Sequence, residues 1–253
     1  MAIRPTTLRN LYIAELQNLY AFVYDMCGDR GDSYRFLLEV SKLANCHGDE
    51  LLEAPIPADA ILGFVARNLE KELGRRAEQT FQILDNVLRS DITRDIDMSM
   101  KGIDNDLGRI HGLLWELKRT CLIAVMGCLP PSVRLSFLLT DILGYSPPDA
   151  ADLLEIKESA YRVRLTRARK RIEDYLTPRC FHVDRNNPCN CEGRLGIALD
   201  ARFVTPPPHD LDTPKATHDS ESPRRDMPTL YRGLPPVMLS RQQVAEILDQ
   251  ITC

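Results

Sequence analysis

Two groups of residues in this chain have the types and spacing that chemistry requires. The first runs from Lys157 to Arg171 and holds Lys157, Arg162, Arg164, Arg167, Arg169, Lys170 and Arg171. Such a concentration of positive charge gains little in a chain of net charge −4 unless it meets phosphate. The second follows at once and holds Cys180, His182, Cys189 and Cys191. Three thiols and an imidazole are soft donors that suit a tetrahedral zinc ion. Their spacing lacks paired CxxC knuckles, so zinc ligation, redox-active thiols and simple helix-end packing all stay open. No carboxylate and histidine constellation for water activation accompanies them, and the chain reads as no enzyme.

A defined scaffold must position the basic residues. Ser146 can cap a helix with Pro147 in its first turn, running through Leu154. A turn at 155–157 follows, and Ser159, Ala160 and Tyr161 open a longer helix. On that helix Tyr161, Leu165, Ala168 and Ile172 share one stripe, which is expected to pack on Ala151, Leu154 and Ile156. Two helices joined by a tight turn, with cations on the second, form a helix-turn-helix. The N-terminal part of its second helix enters the major groove, which makes Lys157, Glu158, Ser159, Arg162, Val163 and Thr166 candidates for base and nearby backbone contacts. Arg164, Arg167, Arg169, Lys170 and Arg171 are expected to position the protein on phosphates.

Apolar residues recur at helical spacing through most of the chain and alternating strand patterns are almost absent, so the fold is expected to be all-α. Its 253 residues, 44% hydrophobic and 27% charged, suit two small helical domains. The first is expected over 8–76, with turn signals at Cys27-Gly28-Asp29 and around Pro55 and Pro57 dividing it into about three helices. A linker with short helices covers 77–112, the helix-turn-helix domain 113–179, and the cysteine-rich segment 180–199. Residues 200–236 read as a flexible Pro-rich tether. An amphipathic helix closes the chain over 237–253, where Ser240 and Gln243 occupy capping-box positions. Cys121, Cys128 and Trp115 fall on an apolar helical face and read as core, Cys27 and Cys46 sit near turns, and His47 and His111 have no ligand-spaced partner. No apolar run approaches a bilayer span and the opening residues lack the core of a secretory signal, so no membrane is expected and the expected location is the cytoplasm.

The stretch from Leu129-Pro130-Pro131 through Phe137-Leu138-Leu139, Asp141, Gly144-Tyr145-Ser146, Ala150-Ala151 and Leu154 to the Arg164–Arg171 tail resembles region four of extracytoplasmic-function (ECF) sigma factors. Upstream, Cys27-Gly28-Asp29-Arg30, Asp32, Glu39-Val40 and 64–69 resemble a divergent region two. The resemblance implies that 129–176 reads the minus-35 promoter element and that Asp32, Arg35 and Glu39 face core RNA polymerase. It also implies that region two opens the minus-10 element. Asn187-Pro188-Cys189-Asn190-Cys191 is similar to the ending of a subgroup of these factors. The chain departs from the family at Tyr34, Arg35 and Leu38 on the polymerase-binding helix, and at Ile61 and Gly63, where Trp and Phe are common.

Two functions follow as expectations. One is a sigma factor whose partners are promoter DNA, core RNA polymerase and an anti-sigma or other regulatory protein. The alternative, favoured by the altered region two, is a sigma-derived DNA-binding regulator or adaptor without promoter melting, responsive to metal or redox through the cysteines.

Overall fold

Helix α1 (Leu8–Cys27) begins where the Thr7 side chain accepts from the Asn10 N–H at 3.2 Å. It ends at Gly28, whose φ of 77° closes the last turn onto the Tyr24 carbonyl at 2.7 Å, a left-handed cap that glycine adopts without steric cost. Asp29 then caps α2 (Arg30–Ala44) by accepting from the Asp32 N–H at 2.8 Å. A tight turn at 45–47 leads into the short α3 (Gly48–Glu53), and Pro57 starts α4 (Pro57–Leu73). The expected three helices are thus four, because the segment before Pro57 coils into an extra short helix. A computed structural model describes residues 7–75, 77, 80–88, 107–200, 202–204 and 226–251. Residues 89–106 of the expected linker and 205–225 of the expected tether lie outside them. Among the described residues no strand forms, only an isolated bridge, and no helix is long and apolar enough to cross a membrane.

The chain divides into two compact units that are not sequential. The first comprises Met1–Arg76, Pro130–Ala168 and Pro236–Cys253. Its core joins Leu8, Tyr12, Leu16, Leu37, Ile61 and Val65, all at most 2% exposed, to Leu135, Phe137 and Leu139 of the later segment. That segment holds α7 (Pro131–Phe137), a widened turn at 138–142, α8 (Pro147–Leu153) and the first part of α9 (Glu158–Leu176). Arg134 of α7 is 1% exposed and donates to the Met26 carbonyl at the end of α1. A buried cation on the carbonyl end of a helix is held by both hydrogen bonding and the helix dipole.

The second unit comprises Ala77–Leu129 and Arg169–Pro235. It contains α5 (Phe81–Leu88), α6 (Leu107–Gly127), the end of α9, α10 (Cys191–Asp200) and α11 (Met227–Arg232). Leu113 and Leu117 of α6 pack on Leu195 and Ala198 of α10. Phe81 stacks on Tyr175 at 4.8 Å, and the Tyr175 hydroxyl donates to Asp85 at 2.9 Å. α6 starts at Leu107, inside the expected linker 77–112, and α11 forms inside the expected tether 200–236; neither α11 nor α10 in the cysteine-rich segment is signalled by local periodicity.

The last helix, α12 (Arg241–Leu248), belongs to the first unit and carries the expected capping box. It lies on α1 and α2. Ile247 and Ile251 are at most 5% exposed, Tyr34 donates to Glu246, and the Asn45 amide donates to the Gln250 carbonyl at 2.7 Å.

Candidate nucleic-acid interface

The helix-turn-helix forms where its residues direct. Ser146 accepts from the Asp149 N–H at 3.3 Å, which starts α8 with Pro147 in its first turn. The chain then reverses at Glu155, whose φ of 56° lies in the left-handed region, a conformation uncommon for a residue with a Cβ. The Ile156 N–H returns to the Ala151 carbonyl at 3.0 Å and fixes the angle between the helices. Ala150 and Ala151 are at most 1% exposed, and their small side chains let the two helices approach closely.

Tyr161, Leu165, Ala168 and Ile172 are all at most 4% exposed, so the expected stripe is the buried one. The Tyr161 hydroxyl donates to the Ser136 carbonyl at 2.9 Å and lies 2.7 Å from Thr140 Oγ1. Both lone donors and acceptors of this buried site are thereby satisfied, and α9 is pinned to the helices beneath it.

The opposite face is open. Lys157, Glu158, Ser159, Arg162, Val163 and Thr166 are exposed, as are Arg167, Arg169, Lys170 and Arg171. Arg162 pairs with Glu158 one turn away at 2.6 Å, and Lys170 with Asp174 at 2.9 Å. Such exposed pairs exchange for phosphate readily, since each is worth little in water. Val163 is 58% exposed, and an aliphatic side chain on this face suits contact with a thymine methyl group. Arg164 differs from the rest. It is half-buried and its guanidinium lies 3.1 Å from Glu70 of α4.

The residues expected to face a polymerase, Asp32, Arg35 and Glu39, are exposed on one side of α2. They line a groove together with Phe36, Leu43 and Glu72. Arg35 pairs with Asp32, and Glu39 with Lys42 at 2.8 Å, so the charge of Arg35 is balanced within its own helix.

In the second unit Cys180 and Cys189 face each other across a parallel bridge, with the Phe181 N–H on the Cys189 carbonyl and the Cys189 N–H on the Arg179 carbonyl, each at 3.0 Å. Cys191 Sγ lies 3.4 Å from His182 Nε2. Burial pushes the Cys180 and Cys189 thiols up and the Cys191 thiol up to about 12. Cys121 of α6, expected only as core, is raised well above its ordinary value by burial, and by the neighbouring Cys180, Cys191 and Cys189. Nothing in the sequence spacing links Cys121 to the others, since only the tertiary fold brings them together. Among the described residues no group of three or more cysteine, histidine, aspartate or glutamate side chains is placed to hold a metal ion.

Residues 119–172 match the family model described as Sigma-70, region 4. The match covers the helix-turn-helix and bears out the sigma-factor resemblance, while it stops short of the cysteine motif. It supports a role in promoter recognition with DNA and RNA polymerase as partners. No curated protein and no solved structure matches the chain.

Proposed function

We propose that this chain is an ECF-type sigma factor that recognises the minus-35 promoter element through α8 and α9 and engages core RNA polymerase through α2. The observation that carries the reading is the exposed face of α9. Within a segment matching sigma region four, it presents Arg162, Val163 and Thr166 together, while Tyr161 and its stripe fix the helix from behind. Base contact belongs to the exposed residues near the start of α9, and phosphate contact to Arg167, Arg169, Lys170 and Arg171. A transcription assay with purified protein, bacterial core polymerase and the DNA upstream of its own gene tests this. Specific transcripts are expected, and their absence together with absence of duplex binding contradicts the reading.

A second reading is a sigma-derived regulator or adaptor that binds duplex DNA without opening it. α4 favours it, since the stripe of Asp59, Gly63, Arg67 and Glu70 carries no aromatic ring on which an unpaired base could stack. Binding without transcripts in the same assay selects it. Any sensing by such a regulator rests on the Cys180, Cys189 and Cys191 thiols, and zinc analysis of the purified protein decides whether a metal joins them.

A further inference from the structure

Four residues of α4, at one-turn intervals along a single stripe, each meet a residue of the helix-turn-helix. At Asp59, a carboxylate oxygen accepts from the Tyr145 hydroxyl at 2.5 Å. Gly63 leaves room for α8, for a Cβ there would stand 2.8 Å from the Leu153 carbonyl oxygen and 2.5 Å from its Cδ2. Since the carbonyl is backbone, no side-chain rotation relieves that contact, and only glycine fits. Arg67 donates to the same Leu153 carbonyl at 2.7 Å and pairs with Glu155 at 3.2 Å. It thereby caps the carbonyl end of α8 and holds the carboxylate of the left-handed turn residue. Glu70 pairs with Arg164 of α9.

The four contacts differ in chemistry but share one direction. A hydroxyl–carboxylate bond, a steric slot, a carbonyl cap with an ion pair and a second ion pair run along one face of one helix. Two carboxylates on that face repel nucleic acid backbone, whereas they complement Tyr145 and Arg164.

We propose that the face of α4 carrying Asp59, Gly63, Arg67 and Glu70 is a docking surface for the chain's own helix-turn-helix. The free protein then binds duplex DNA with α1–α4, α7, α8 and the first part of α9 as one body, in which α4 offers no face to an unpaired strand. The DNA part of this inference rests on the function proposed above, and the docking part does not. It accounts for Gly63, which stands where the family commonly has an aromatic residue. The space that such a ring would occupy is filled by the end of α8.

Hydrogen exchange on the full-length protein tests the docking. Arg67→Glu is expected to speed exchange of the amides at 150–156 by about tenfold or more, because it places like charges at Glu155 and removes the cap. The reciprocal pair Arg67→Glu with Glu155→Arg is expected to recover at least part of that protection. Gly63→Leu is expected to release the same amides by steric means. Unchanged exchange in both Arg67→Glu and Gly63→Leu overturns the proposal, and if Gly63→Leu fails to fold, Arg67→Glu with its rescue decides alone. Fluorescence anisotropy with a labelled duplex and one of its single strands tests the consequence. The wild-type protein is expected to prefer the duplex by at least tenfold, and equal binding of the single strand contradicts a closed α4. Failure to bind duplex at all contradicts the proposed function while the exchange result continues to judge the docking.

Discussion

Arg164 of α9 forms an ion pair with Glu70 of α4 at 3.1 Å, and the two side chains are 27% and 26% exposed. One cation of the DNA-binding helix is therefore engaged within the protein while its neighbours face solvent. Glu70→Ala frees it. The expected outcome is a stability loss of at most about 1 kcal/mol, since partly exposed pairs are worth little. Non-specific DNA affinity should rise, with the salt dependence steepened by about one counterion. Titrations of a labelled random duplex at several salt concentrations check this, and an unchanged slope would show that Arg164 never reaches phosphate.

Tyr161→Phe removes the donor to Ser136 and the partner of Thr140. The buried Ser136 carbonyl loses this donor, and an unsatisfied buried polar group costs roughly 1–3 kcal/mol. A lower urea midpoint with an unchanged slope is the expected result.

Much of this site was legible in the sequence, because its determinants are local. The cap at Ser146, the turn after Leu154 and the stripe Tyr161, Leu165, Ala168 and Ile172 each follow from spacing and residue type, and the structure places each as expected. The capping box of Ser240 and Gln243 was legible for the same reason. Contacts between distant segments were not. Neither the pairing of Arg164 with Glu70 nor the seat of Leu153 against Gly63 leaves a periodic trace, although Gly63 stood out as a departure from the family pattern. Likewise α10 begins at Cys191 without a strong apolar stripe, and Cys121 joins the other thiols only through the tertiary fold.

The C-terminal helix is expected to contribute to stability rather than fray. Ile247 is fully buried against the first unit, and truncating such a side chain costs about 2–5 kcal/mol. Ile247→Ala should therefore lower the thermal midpoint clearly, whereas exposed Arg241→Ala should not. Equal small effects from the two would mean that α12 is not docked in solution.

Stability should fall at alkaline pH. Burial holds the Cys191 thiol up to about 12 against an ordinary value of 9.0, and the Tyr12 hydroxyl up to about 12 against 10.0. Below about pH 9 the folded and unfolded chains both keep these protons. Above it the unfolded chain releases them first, so the folded state loses stability as pH rises from about 9 towards 12. Urea midpoints measured from pH 7.5 to 10.5 should decline, and Cys191→Ala should flatten part of that decline. A flat profile in the wild-type protein would contradict the burial of these groups.

The most direct test of the central claim compares wild-type protein with Arg162→Ala/Thr166→Ala by anisotropy, on the upstream duplex and on a random duplex of equal length at one salt concentration. Each lost base contact costs about 1–3 kcal/mol at its position. The preference for the upstream duplex is therefore expected to fall by about tenfold or more, with random-duplex affinity nearly unchanged. An undiminished preference for the upstream duplex in this variant would contradict the claim that the exposed face of α9 reads promoter sequence.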